Sequence, residues 1–141
     1  MPQSPKPQGR YLPATRDGDL VFTAGMTPRE NGVMILRGKV KADEPLETYK
    51  PAVELAAANA LRAARDVLAA GERIIKVVNM TVYIAAQEPF EAHAKIADFA
   101  SGYLYDALGE PGIGSRTAIG VQSLPGSAPV EIALVVSVGT E

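Results

Sequence analysis

The fold is decided by residues 129–138, PVEIALVVSV, in which apolar residues occupy every second position. Successive side chains of a β-strand point to opposite faces of its sheet, so this stretch predicts a strand with one wholly apolar face and one mixed face. The apolar face is expected to pack on helices. The apolar set is Val130, Ile132, Leu134, Val136 and Val138, and the mixed set is Glu131, Ala133, Val135 and Ser137.

Two further alternating stretches precede the final strand. Residues 77–84 predict a strand because their apolar residues recur with a period of two. Residues 115–121 predict another strand, and the SLPGS turn at 123–127 separates it from the last one. The apolar face of the first of these strands is expected to carry Val78, Met80, Val82 and Ile84.

Two other segments have the period of an α-helix. Residues 49–70 carry an apolar stripe, Thr48 is placed to cap its start, and Gly71 stands where a left-handed C-terminal residue is needed. Pro89 opens the second helix, which is expected to stop at Gly109. The stripes are Val53, Ala57, Ala60, Ala64 and Val67 in the first helix, and Phe90, Ala94, Ala97, Ala100 and Leu104 in the second.

The N-terminal part of the chain is expected to be extended. Residues 11–15 and 20–24 predict a hairpin joined by a Gly-containing turn, and residues 33–40 predict a third strand. Residues 1–8, which are polar and proline-rich, predict a flexible N-terminal arm. Residues 9–141 are then a single domain, since the chain has the length of one ordinary globular unit.

The order of these elements, strands, helix, strand, helix, strands, predicts an α+β fold. Right-handed crossovers place both helices on the same side of one mixed sheet, which gives a two-layer sandwich. A single domain of this kind has nothing to cover the mixed face of the last strand. We therefore expect that face to close against other subunits.

The composition excludes several kinds of site. The chain has 141 residues, no Cys, a single His and a net charge of −2, so we expect neither a metal nor a cofactor. That histidine, His93, lies in the second predicted helix and is interpreted as a surface or packing residue. No basic run favours nucleic acid, and no stretch of about 18 apolar residues could span a membrane. We expect a cytoplasmic protein.

Arg116 and Glu131 are the candidate functional residues. Arg116 follows a Gly-rich loop and shares a strand face with Ala118 and Gly120. Because these two residues are small, they leave room for a ligand carboxylate, which the planar guanidinium of Arg116 can bind with two hydrogen bonds. A surface pair with a neighbouring acid is an equally good interpretation. Glu131 lies on the mixed face, where a carboxylate is costly unless it neutralises an arginine or serves as an acid or base.

These residues belong to a series of short motifs that extends from Gly9 to Val138. In the order and spacing of these motifs, the sequence resembles the Rid (reactive intermediate deaminase) family, also called the YjgF or L-PSP endoribonuclease family. The motifs are GRYLPA at 9–14, LVFTAG at 20–25, VLAAG at 67–71, VVNMTVYI at 77–84, Phe90, SRT at 115–117, LP at 124–125 and PVEI at 129–132.

The resemblance implies a chorismate-mutase-like fold, assembled as a homotrimer with three clefts between subunits. It also implies hydrolysis of 2-imino acids, and of their enamine tautomers, to 2-keto acids and ammonia. In such a cleft Arg116 would grip the carboxylate of a small substrate and Glu131 would be linked to the attacking water. Tyr11, the backbone of Gly25, and Thr117 would complete the substrate-binding residues.

The chain also departs from the pattern of many deaminating members. Residues 24–26 are Ala-Gly-Met where those members have Ser-Gly-Gln, and residues 116–118 are Arg-Thr-Ala where they often have Arg-Ser-Cys. A non-catalytic trimer that binds small carboxylate metabolites is therefore the alternative to a deaminase. A ribonuclease is a distant third, because an acidic chain with 6% aromatic residues lacks a basic, stacking-rich groove.

Overall fold

The computed structural model describes residues 3–140. Met1 and Pro2 of the predicted arm, and Glu141 at the end of the predicted domain, lie outside the described residues. The elements are β1 (Ala14–Asp17), β2 (Leu20–Thr23), β3 (Arg29–Glu30), β4 (Val33–Met34), α1 (Lys50–Arg65), β5 (Arg73–Ala85), α2 (His93–Leu108), β6 (Ser115–Val121) and β7 (Val130–Gly139).

Five strands form one mixed sheet in the order β1-β2-β7-β5-β6, and β3 pairs with β4 in a separate ribbon. Neighbouring strands of the sheet are antiparallel, except that β5 and β6 are parallel. The helices α1 and α2 pack on each other and on one face of the sheet. The predicted two-layer α+β fold is confirmed. No helix within residues 3–140 is long and apolar enough to cross a bilayer.

β7 lies between β2 and β5, and its apolar face forms the floor of the core. Each residue of the apolar set predicted for this strand is at most 4% exposed, whereas the mixed set is half-buried. Complete burial of a large aliphatic side chain contributes about 1.5–3 kcal/mol to stability. The predicted alternation in this strand is confirmed.

β5 contains a bulge that the sequence pattern did not predict. Its pairing with β7 shifts register between Val77 and Asn79, so Val78 is an extra residue on the bulged strand. Val77 is consequently buried at 2% exposure, and Val78 is only half-buried. The prediction that Val78 faces the core is wrong for this reason, while the three later residues of the predicted face are buried.

α1 ends at Arg65, earlier than predicted. The amide of Leu68 donates to the carbonyl of Arg65, which is a tighter turn than an α-helix makes, and Glu72 then accepts a backbone hydrogen bond that holds this turn. Gly71 has the expected positive φ of 84°, but it follows the turn rather than the helix. Thr48 lies in a short 3-10 turn before α1 and makes no capping hydrogen bond.

α2 begins at His93 rather than at Pro89. The residues between them form a turn in which the amide of Phe90 bonds to Gln87, and this turn buries the Phe90 ring before the helix starts. Ala94 is exposed, contrary to the predicted stripe, whereas the rest of that stripe is buried. Gly109 ends the helix as predicted.

Residues 33–40 do not form a strand of the main sheet, contrary to the prediction. Only Val33–Met34 is extended, as one half of the small ribbon. A chain whose amides bond to three separate segments cannot keep the register of one strand. Here Ile35 donates to Pro28, Gly38 to Ser127, and Val40 to Ala85.

The sheet face opposite the helices has no second layer among the described residues. It exposes Phe22 (42%) and Ile119 (45%), with Ala133 and Val135 half-buried beside them and Glu131 at its end. Large apolar side chains gathered on an open face are typical of a contact surface.

Candidate functional site

Glu131 lies directly against the backbone of Gly25. The segment before β3 runs beside β7, where Met26 and Ile132 exchange two backbone hydrogen bonds of 2.8 and 2.9 Å. A Cβ built on Gly25 would collide with Oε2, Cδ and Cγ of Glu131. Only glycine therefore fits at position 25 while this carboxyl keeps its place.

The Glu131 carboxyl is half-buried, and burial raises its pKa above the ordinary value. Within residues 3–140 no hydrogen bond or ion pair to this carboxyl is formed. Desolvation without a compensating partner favours the protonated form and makes a carboxyl a better base once ionised. Glu131 is thus a candidate acid or base rather than half of a structural ion pair.

Tyr11 and Gly25 line one cavity of about 200 Å³. The hydroxyl of Tyr11 accepts a hydrogen bond of 3.1 Å from the amide of Gln8, so its own O–H remains available to donate. The amide of Gly25 donates no hydrogen bond among the described residues. Tyr11 and Gly25 therefore each keep a free donor, and Lys6 and Arg29 are among the further lining residues of the cavity. Gly25 is the lining residue that also contacts the Glu131 carboxyl.

Asn59 of α1 closes the inner side of this cavity, and the sequence analysis missed it. It is 4% exposed, and its amide donates to the carbonyls of Thr27 (3.1 Å) and Arg29 (2.9 Å). These bonds hold the segment that follows Gly25 against α1. The signal was present in the sequence, because Asn59 is a polar residue inside an Ala-rich, otherwise buried stripe.

Arg116 occupies a different environment, under α2 at the edge strand β6. It pairs in register with Met80, a core residue, so its side chain projects from the sheet face that carries the helices. Its guanidinium donates to Oδ1 of Asp98 (2.8 Å), to Oγ of Ser101 (2.9 Å) and to the carbonyl of Ala94 (3.0 Å).

The space predicted beside Arg116 is occupied by α2. Nε2 of His93 would lie 2.6 Å from a Cβ built on Gly120, and the His93 ring makes an edge contact with Phe90. Gly120 is small because His93 packs on it. Of the two interpretations given for His93, surface or packing residue, the contacts with Gly120 and Phe90 support packing.

Arg116 and Glu131 lie on opposite faces of the sheet. Glu131 pairs with Tyr83 of β5 on the open face, whereas Arg116 pairs with Met80 on the helix face. Thr117 lies on the open face, two strands away from Glu131. One copy of the chain thus places Gly25 against Glu131 and Tyr11 in the same cavity as Gly25, whereas Arg116 lies on the other face of the sheet. Within residues 3–140 no group of three or more His, Cys, Asp and Glu could hold a metal ion.

Comparison with known proteins identifies the family of this chain. Residues 1–138 match the sequence profile of the family described as Endoribonuclease L-PSP. The chain belongs to the L-PSP family. The motif resemblance is therefore confirmed for nearly the whole chain. A protein named TCP17 from Trypanosoma cruzi is 23% identical over 133 residues, which is 94% of this chain and 83% of that protein.

Solved structures of similar fold include two from bacteria with substantial sequence identity. A protein of unknown function from Agrobacterium tumefaciens has a TM-score of 0.83 and 32% identity, covering 92% of this chain and 82% of that one. A proposed endoribonuclease from Shewanella oneidensis has a TM-score of 0.88 and 25% identity, covering 96% and 90%. TdcF from E. coli, solved with bound serine, shares the L-PSP family fold at a TM-score of 0.69 and 20% identity, covering 95% and 92%.

Proposed function

We propose that the protein hydrolyses 2-imino acids and their enamine tautomers to 2-keto acids and ammonia, in clefts between the subunits of a homotrimer. The observation that carries this proposal is the Glu131 carboxyl: half-buried, without a partner in residues 3–140, and pressed against Gly25, whose amide is free. Such a carboxyl suits the transfer of a proton to or from water.

The cleft is proposed to combine two copies of the chain. The side chains of Arg116 and Glu131 project from opposite faces of the sheet. A small substrate can therefore contact both only if Arg116 of one copy lies beside Glu131 of another. The open apolar face around Phe22 and Ile119 supports such an assembly, because contact with another copy would remove it from water. A ring of three copies would contain three such clefts.

In the proposed reaction, Arg116 binds the substrate carboxylate and Glu131 takes a proton from a water molecule. The water oxygen attacks the carbon of the protonated imine, and the remaining proton of the new hydroxyl passes to the nitrogen. The C–N bond then breaks, which leaves the keto group, and the ammonia departs with the proton held by Glu131 as ammonium. The imine carbon is already electrophilic, so orientation of water and substrate supplies much of the rate enhancement. Tyr11 and the Gly25 amide donate hydrogen bonds to the substrate.

The small carboxylate ligand is supported by the relative TdcF, which was solved with serine, an amino acid that carries the same carboxylate as a 2-imino acid. The identity of that relative is 20%, so the shared fold supports the ligand class and no particular substrate. Thr117 on the open face and Tyr11 in the cavity are proposed as further contacts to the substrate side chain.

The proposal is tested by following ammonia release while an amino-acid oxidase generates imines in solution. We expect the wild-type protein to accelerate the release. Glu131→Gln is expected to lower kcat/KM by about 100-fold or more, as loss of a general base does. Arg116→Ala is expected to lower kcat/KM as well, through loss of the paired hydrogen bonds to the substrate carboxylate. Arg65→Ala and Glu30→Gln alter exposed residues whose side chains make no hydrogen bond within residues 3–140, and they serve as matched controls.

A non-catalytic binder of carboxylate metabolites is the second candidate. Met26 is buried in the core at 8% exposure, and Ala118 lies under α2, so neither position supplies the polar group that many deaminating members carry there. Under this alternative, pyruvate binds in an Arg116-dependent manner while imine decay stays at its uncatalysed rate for small, branched and aromatic substrates.

A further inference from the structure

We propose that Asp98 and Ser101 of α2 are positioning residues for Arg116, which they hold with one edge of its guanidinium open to a ligand carboxylate. This inference rests on the proposed function, since it concerns the same carboxylate site. Neither residue belongs to the motifs by which the chain resembles its family, and neither touches the substrate in this account.

The hydrogen bonds of Arg116 use only some of the N–H donors of its guanidinium. A guanidinium has five N–H donors. Nη1 donates to Asp98 and to Ser101, and Nη2 donates once, to the Ala94 carbonyl. The N–H of Nε and one N–H of Nη2 have no acceptor among the described residues. Nε and Nη2 share one edge of the planar group, and the proposal places the unbonded N–H of Nη2 on that edge. A carboxylate binds such an edge with two parallel hydrogen bonds.

The three acceptors lie on a rigid element. Ala94, Asp98 and Ser101 are spaced by four and three residues, so they lie on one face of α2. Since two nitrogens of the planar group are bonded to that face, rotation of the guanidinium out of its plane breaks at least one hydrogen bond. A flexible arginine loses side-chain freedom when it binds an anion, and a pre-oriented one loses less.

The charges of the pair are compatible with anion binding at Arg116. The Asp98 side chain is 67% exposed and that of Arg116 is 25% exposed, so water screens the aspartate more than the arginine. Ser101 adds orientation without any charge. Positioning and simple neutralisation therefore predict opposite effects when Asp98 is replaced, which allows a direct test.

The test measures pyruvate binding by calorimetry and imine turnover for four variants. Positioning predicts that Ser101→Ala and Asp98→Ala each weaken pyruvate binding about threefold to tenfold, as expected for one lost hydrogen bond, and raise KM with little change in kcat. Ser101→Thr, which keeps the hydroxyl, is expected to stay within about twofold of wild type, and so is Asp98→Asn, which keeps the Oδ1 acceptor. Asp106→Ala, an exposed aspartate on the same helix, is the control.

The side-chain ¹⁵Nε–¹Hε signal of Arg116 provides a readout that does not depend on activity. We expect an ordered signal in the wild type and a mobile one in Ser101→Ala and Asp98→Ala. The inference is overturned if pyruvate binds both Asp98 variants more tightly than wild type, since Asp98 then only opposes the anion. It is also overturned if the Arg116 signal stays ordered in both alanine variants, or if the wild type does not bind pyruvate.

The two proposals can fail separately. Normal imine turnover that is unchanged in Ser101→Ala and Asp98→Ala removes the positioning role and leaves the deaminase intact. Pyruvate binding that falls in these variants, combined with no imine turnover in the wild type, removes the deaminase and leaves the positioning role.

Discussion

The two charged residues of the candidate site are held in opposite ways. Glu131 is placed by backbone, through the paired segment at Met26 and the close approach of Gly25, and its carboxyl has no partner within residues 3–140. Arg116 is held by α2, where its guanidinium donates to the side chains of Asp98 and Ser101 and to the backbone carbonyl of Ala94. The comparison shows that the Glu131 carboxyl is isolated from other side chains, whereas the Arg116 guanidinium is oriented by its hydrogen-bond partners.

Among substitutions that act on only one of these two residues, Gly25→Ala is expected to have the largest effect on imine turnover. The added Cβ would occupy the place of the Glu131 carboxyl, and this side chain can swing away because its end is flexible. We therefore expect a folded protein whose imine turnover falls about as far as in Glu131→Gln, on the order of 100-fold. The measurement is kcat/KM alongside the thermal unfolding midpoint.

Gly102→Ala is the matched control for this substitution. Gly102 lies within α2, and a Cβ there meets no atom within 4 Å. We expect unchanged turnover and an increase in stability of about 1 kcal/mol, because alanine favours a helix over glycine. Turnover of Gly25→Ala equal to that of Gly102→Ala would contradict the placement of Glu131 by Gly25.

An intermediate effect, on stability, is expected at Asn59, which holds the backbone segment that follows Gly25. Asn59→Ala leaves the carbonyls of Thr27 and Arg29 without their donor, so we expect a loss of about 1–3 kcal/mol in the free energy of unfolding. Glu54→Ala on the same helix is the control, since the Glu54 side chain makes no hydrogen bond within residues 3–140. Chemical denaturation measures both, and equal stability of the two variants would show that these hydrogen bonds contribute little.

The smallest effect is the dependence of stability on pH, which distinguishes two carboxyls. Hydrogen bonds from Arg16 and from the Ala69 amide lower the pKa of Glu72 to about 2. A lowered pKa means that Glu72 stabilises the fold above its unfolded pKa, near 4.5, and that this stabilisation is lost as the pH falls toward 2. We expect Glu72→Gln to be less stable than wild type at neutral pH and to approach wild type as the pH falls through about 2.

Glu131 has the opposite sign because burial raises its pKa. The folded state then favours the proton, so Glu131 makes the fold less stable as the pH rises above its unfolded pKa. We expect Glu131→Gln to be at least as stable as wild type at neutral pH and to gain no advantage in acid. Unfolding midpoints from pH 2 to 8 test both carboxyls, and a neutral-pH loss of stability in Glu131→Gln would contradict the isolation of this group.

The sequence predicted the parts of this molecule that depend on local pattern. Alternation in β7 and helical stripes specify which side chains are buried, since one-sided burial has a fixed period in each element. The sequence did not predict the bulge at Val78, because a bulge depends on the pairing with the neighbouring strand. It also placed the start of α2 too early, because a turn buries Phe90 before the helix begins.

The sequence predicted which charged residues are candidates for the site, but not the residues that contact them. Arg116 and Glu131 were identified from charge on apolar strands and from the motif resemblance, but no local pattern reveals which face of the sheet each occupies relative to the other. Asp98, Ser101 and Asn59 were missed because their roles arise from contacts between elements far apart in the chain.

The central claim, that the site joins Arg116 of one copy to Glu131 of another, is tested most directly by co-expressing the Arg116→Ala and Glu131→Ala chains. Each chain alone is expected to be inactive, whereas random mixed assemblies regain about one quarter of the wild-type sites. The double variant co-expressed with either single variant is the control and stays inactive. Recovery of turnover only in the mixture of the two single variants is the predicted result. Active wild-type protein with no recovery in that mixture would contradict the claim.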